Sequence, residues 1–272
     1  MPENHSAVLD SSNDPRQLTE AAATLAHSQS REDHLELLKH LQSEAFLLRL
    51  DSAEACRGSP KALNIRLVLE ELSRGQPQPG HGTLVALTRS EAFLSEPARV
   101  DLLITACIPI RPAPTELIKF WDAHCLPQDG YDNLTIEALV NNGSAPAIGL
   151  LTDKLKDARF EDEEKINWMR SSIMTQRNDA ILLGACEELV QRGLSESLRL
   201  ALAEALFDYK PYDWFTPATV LHPPSRATLS PEARVIRERI GNFVMANLKP
   251  SESLAAVIKT ELEALRQGGN SP

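Results

Sequence analysis

The stretch "KFWDAHC", residues 119–125, gathers Trp121, Asp122, His124 and Cys125. An acid, an imidazole and a thiol together could make a thiol nucleophile or a metal site. On a helix, however, only residues three or four apart share a face. Asp122 and Cys125 meet that condition, whereas His124 and Cys125 do not. The expectation is therefore a helix with Phe120, Trp121 and Cys125 in the core and Asp122 in water. The remaining histidines (5, 27, 34, 40, 81 and 222) are scattered. Their closest pair, His34 and His40, is spaced so that two imidazoles cannot share a helix face, and no metal pair is expected. "GQPQPGHG", residues 75–82, has glycines but no preceding strand and no following Lys-Ser or Lys-Thr, so it reads as a turn rather than a phosphate cradle. No hydrolase, zinc-protease, kinase or dinucleotide-binding signature occurs. No catalytic residue, cofactor or metal is expected.

A different kind of chemistry is suggested by "DYKPYDWFTPATVLHPP", residues 208–224. With Phe207, it concentrates Tyr209, Tyr212, Trp214 and Phe215 in a proline-broken segment that cannot be a long helix. Trp and Tyr are enriched where partners dock, which makes Tyr209, Tyr212, Asp213, Trp214 and Phe215 candidate binding residues. The same rings could instead fold inward as an apolar plug, since buried aromatics contribute much to packing.

Bulk properties narrow the classes. The 272 residues are 42% hydrophobic and 24% charged, ordinary values for a globular chain. Acids outnumber Lys and Arg by 38 to 28, and this net charge of −10 argues against a nucleic-acid partner, whose phosphates call for a basic footprint. "MPENHSAVLDSSNDPRQ" lacks a positive, then apolar, leader pattern, and no run is long enough to span a membrane. The widely spaced Cys56, Cys107, Cys125 and Cys186 suit reduced thiols, so a cytoplasmic location is expected.

The elements that must position any site are helices. Apolar residues recur at three- and four-residue spacing in "DLLITACIPI", "AIGLLTDKL" and "LRLALAEALF". Ser59-Pro60 and Ser230-Pro231 are start signals, and "NNGSAPAIGLL" carries a Gly-Ser break. The expected fold is all-α. Leu84, Leu117, Ile148 and Leu182 fall at steps of 33, 31 and 34 in successive leading helices. Arg99, Asn133, Lys165 and Arg199, which open the second helices, follow at steps of 34, 32 and 34. A period in this range marks stacked helical units, each of which needs its neighbours to bury its apolar faces. The next step, from Arg199 to Ser253, is 54, so an insertion of roughly 20 residues precedes the last pair, drawn at 231–247 and 251–267. The expected organisation is a tail over 1–30, mobile but with room for one short helix around "LTEAAATLAH", an ordered helix from about Glu32, one α-solenoid domain of five to six antiparallel pairs over 31–267, and a disordered end at 268–272.

Paired apolar helices with a polar or basic residue opening each second one (Arg99, Asn133, Lys165, Arg199) resemble HEAT-repeat or HEAT-like, armadillo-type solenoids. In such units the basic residue joins a ladder with turn acids, a role Asp153, Asp157 or Asp162 could fill toward Lys165. The resemblance implies a non-enzymatic scaffold that binds a protein or peptide on its concave face, with the 208–230 aromatic loop and Arg99, Lys165 and Arg199 as binding candidates. Other HEAT-like proteins resemble DNA glycosylases or bilin lyases, and a permanent subunit of a larger complex is a third alternative. Oligomeric state is left open.

Overall fold

The computed structural model describes residues 5–51, 63–74, 79–127, 132–165, 167–168, 186–187, 189–191, 193–208 and 231–268. Among them every regular element is helical, and none is long and apolar enough to cross a membrane. The chain divides into two compact units, Met1–Ala147 and Ile148–Pro272.

The first unit begins with α1 (His5–Ser11), α2 (Pro15–His27), α3 (Arg31–Leu41), α4 (Glu44–Asp51) and α5 (Leu63–Arg74). It continues through α6 (Pro79–Leu87), the single turn α7 (Glu91–Leu94), α8 (Pro97–Ala106), α9 (Thr115–Ala123) and α10 (Asp132–Asn142). Short polar signals set the boundaries. Asp14 accepts a hydrogen bond from the Arg16 amide with Pro15 opening α2, and Ser30 and Ser90 cap α3 and α7 in the same way. Gly143, at φ 63°, ends α10 in the left-handed region that favours glycine.

Residues 5–27 form α1 and α2, and α2 covers the "LTEAAATLAH" stretch for which a short helix was allowed. Leu18, Ala21, Ala22, Leu25 and Ala26 recur at helical spacing and are buried, as is Leu9 of α1. They are covered because α2 packs on α5, whose Ile65, Val68, Leu69 and Leu72 form a matching stripe. Successive contacts then run from α2 to α5, from α5 to α8 and from α8 to α10, while α3 packs on α6. Leu84 and Leu117, two positions of the expected series, are fully buried in α6 and α9.

Turns in this unit are tied into the core. The buried Asn142 amide donates to the carbonyls of Ile108 (2.8 Å) and Ile110 (2.9 Å) in the turn before α9. Its oxygen accepts from the Ser144 hydroxyl at 2.6 Å, and that hydroxyl accepts from the Ala113 amide. One side chain thus satisfies backbone groups that would otherwise be buried unpaired.

The second unit contains the rest of α11 (Ala145–Lys156), then α12 (Glu196–Asp208), α13 (Pro231–Asn247) and α14 (Glu252–Gly268). Trp168 meets Phe160 edge to face, with centroids 4.7 Å apart. Helix α13 packs on both α12 and α14 and turns Ile240 and Val244 into the core. Arg237, also buried, forms a two-pronged pair with Glu261 of α14 at 2.7 and 3.0 Å and reaches the Leu206 carbonyl of α12 at 3.5 Å. The 268–272 end lies outside the described residues except for Gly268, which closes α14.

Two glycines of α6 test the α5–α6 contact. A Cβ at Gly80 would lie 2.5 Å from the Leu72 carbonyl oxygen, which belongs to backbone and cannot turn aside, whereas one at Gly82 would meet nothing within 4 Å. Gly80→Ala is expected to lose about 1–3 kcal/mol in urea unfolding. Gly82→Ala should gain up to about 1 kcal/mol from helix propensity. Equal effects of the two substitutions would show that α6 does not approach α5 this closely.

Candidate functional site

The five aromatic-segment candidates, Tyr209, Tyr212, Asp213, Trp214 and Phe215, lie outside the described residues. The basic candidates are described: Arg99 and Lys165 are buried, and Arg199 of α12 is only half-buried. Arg99 is 5% exposed in α8, donates to Asp51 at the end of α4 (2.9 Å) and to the Ala92 carbonyl of α7 (3.2 Å). It therefore joins α4, α7 and α8. Among the described residues the Nε atoms of Arg99 and Arg199 and the Oδ1 of Asp51 have no hydrogen-bond partner. Burial raises the Asp51 carboxyl above its ordinary value even with the Arg99 guanidinium beside it. Of the turn acids, Asp157 pairs with Arg159 at 2.6 Å, and that hydrogen bond holds its carboxyl down at about 2. Asp162 accepts from Ser195 and Ser197.

In the "KFWDAHC" helix, Phe120, Trp121 and Cys125 are buried and Asp122 is exposed. Trp121 is fully enclosed with its indole N–H unpartnered among the described residues. The His124 ring meets Phe120 edge to face at 4.7 Å. Burial pushes the Cys186 thiol up to about 12, with Glu187 beside it adding to the shift, and it pushes the Cys107 thiol well above its usual range. Burial thus disfavours the thiolate at both sulfurs.

Among the described residues, an open recess of about 450 Å³ lies along α13. Val235, Glu238, Arg239, Asn242, Phe243 and Asn247 line it from a single helical face, and Glu187 closes it from the side. Phe243 is nearly buried, whereas Val235 at the mouth is 67% exposed. Two ion pairs bound the groove: Arg239 with Glu187 at 3.4 Å, and Arg266 of α14 with Glu238 at 3.0 Å. All four side chains are at least about a third exposed, so each pair contributes at most about 1 kcal/mol and is readily exchanged for a ligand's charge. The groove offers an apolar contact between charged flanks, with no nucleophile. Elsewhere among the described residues, one group of histidine and carboxylates could hold a metal: Asp10, Glu36 and His40 of the first unit.

Neither place was singled out from sequence. The groove face of α13 has helical spacing but mixes Val and Phe with charged residues, so it resembles any solvated helix. Glu36 and His40 stand at i and i+4, a visible signal, but a search for paired histidines passes over it. No family model matches the chain, and neither a curated protein nor a solved structure does.

The Arg99–Asp51 pair separates a structural from a ligand-binding role. Asp51→Ala strands a buried guanidinium and is expected to cost roughly 3 kcal/mol or more in unfolding free energy. Joint replacement as Asp51→Leu with Arg99→Met should recover most of that loss. An unchanged melting temperature in Asp51→Ala would show that the pair does not hold α4, α7 and α8 together.

Proposed function

We propose that this protein is a non-enzymatic scaffold of stacked, HEAT-like helical pairs that binds an extended peptide segment of a protein partner through the α13 groove. The groove is the observation that carries the proposal: a cavity of about 450 Å³, lined by Val235 and Phe243 and flanked by Arg239 and Glu238. It has the size and chemistry to seat one bulky apolar side chain with a charged residue on either side. The α2–α5–α8–α10 succession in the first unit supports the stacked-pair architecture, since in such arrays each pair is covered by its neighbours. The aromatic segment 209–230 runs directly into α13 in sequence, and we include it as a second contact for the same partner. Cys107 and Cys186 are free thiols, which suits work in a reducing compartment such as the cytoplasm.

Selection of a displayed random-peptide library on the full chain tests this function. Enriched peptides should share one bulky apolar residue beside a charge. Val235→Asp should weaken a synthetic representative roughly tenfold or more, the loss expected for an apolar anchor. Its melting temperature should not change, because Val235 is 67% exposed. Enrichment no better than on an unrelated helical protein, or equal binding to the Val235→Asp variant, would overturn the proposal.

A further inference from the structure

Three ligand-type side chains from two helices converge in the first unit. Glu36 and His40 stand one turn apart on α3, and Asp10 comes from the last turn of α1. His40 Nε2 is 3.1 Å from Glu36 Oε1 and 3.6 Å from Asp10 Oδ1. All three ligand atoms lie within 4.8 Å of one another. A tetrahedral ion with bonds of about 2.0–2.1 Å keeps its ligands roughly 3.3–3.4 Å apart. The two separations from His40 bracket that edge length and the third lies within 4.8 Å, so side-chain rotation can close the three atoms on an ion.

The cluster is also held in place. His40 is 6% exposed, and its ring lies 5.1 Å from that of Phe46 at 53°. Arg49, one turn beyond Phe46 on α4, packs its guanidinium 5.7 Å from the same ring. That guanidinium donates to the carbonyls of Leu9 (2.9 Å), Ser12 (2.7 Å) and Asp10 (3.4 Å). A single Phe46–Arg49 unit therefore fixes the imidazole and the backbone that carries Asp10. The three ligands need not be organised by the ion.

The electrostatics favour a cation. Two carboxylates face one buried imidazole nitrogen, while the Arg49 guanidinium already meets the carbonyls at the end of α1, so the attraction for an ion comes from the side chains. One N–H at Nε2 can serve only one of the carboxylates well, whereas a divalent ion satisfies all three donors at once. Lys39, 3.5 Å from Glu36, is 69% exposed and a weak competitor. We propose that Asp10, Glu36 and His40 bind a divalent transition-metal ion of the zinc type, which staples α1 to α3. An imidazole with two carboxylates suits zinc, cobalt or manganese better than calcium or magnesium, which prefer all-oxygen sites. Asp10 is 64% exposed at its side chain, leaving the ion's remaining position open to water.

The test uses the full chain, stripped with a chelator and titrated calorimetrically with zinc and, separately, with cobalt. One equivalent should bind with micromolar or tighter affinity, and the cobalt form should show visible absorption bands. The melting temperature should rise with ion concentration, as binding to the folded state requires. Asp10→Asn and Glu36→Gln should each weaken binding roughly tenfold or more. Without metal, the melting temperature of Asp10→Asn should stay at the wild-type value, which separates lost ligation from lost folding. No saturable uptake in the micromolar range, or uptake that both variants leave intact, would overturn the site.

Discussion

The first unit depends on the packing of α2 against α5, because neither helix is long enough to be stable alone. Isolated helices of about 12–15 residues are marginal in water, so most of their stability must come from a covered apolar face. Here Leu18, Ala21, Ala22, Leu25 and Ala26 supply one face and Ile65, Val68, Leu69 and Leu72 the other. Helix α5 then offers its remaining surface to α4, α6 and α8, and α2 offers its own to α1, α3 and α4. The N-terminal segment is consequently a wall of the core. The Phe46–Arg49 unit that fixes Asp10 stands on α4, which packs on both members of the central pair.

Buried charges do their structural work unequally in the two units. Arg237 meets Glu261 through two parallel hydrogen bonds, a geometry in which the guanidinium fork matches a carboxylate. Arg99 meets Asp51 through one, and both partners keep an unpartnered buried atom among the described residues. Desolvating charge is repaid only when the geometry is good and the other polar atoms are satisfied. The Arg237 pair therefore fixes how α12, α13 and α14 meet at modest cost. The Arg99 pair holds its helices at a higher one, visible in the raised Asp51 carboxyl.

Helices were legible in the sequence because three- and four-residue spacing is a local signal, and Leu84 and Leu117 could be named as core on that basis. Burial of a charged side chain is not local. Arg99, Lys165 and Arg199 stand out as a series, yet whether such residues face a ligand or the interior depends on elements far away, as Asp51 is from Arg99. The start of the chain offered only a possible short helix for a related reason. Alanine carries little apolar surface, so "LTEAAATLAH" looks weak until α5 is placed against it. Similarly, Glu36 and His40 share a helix face by spacing alone, while Asp10 reaches them only through the packing of α1 on α3. The aromatic segment, the sequence's plainest oddity, lies outside the described residues, so its part in the candidate site rests on composition and position.

Asn142 has a consequence for how the first unit opens. Its amide holds the carbonyls of Ile108 and Ile110, and through Ser144 it also engages the Ala113 amide. The turn between α8 and α9 is thus bonded to the end of α10 rather than to water. A turn normally frays on its own, exchanging its amide hydrogens with solvent while the helices beside it stay closed. Here the Ala113 amide and the Ile108 and Ile110 carbonyls are tied to the end of α10, so opening this turn also costs the bonds that Asn142 and Ser144 make.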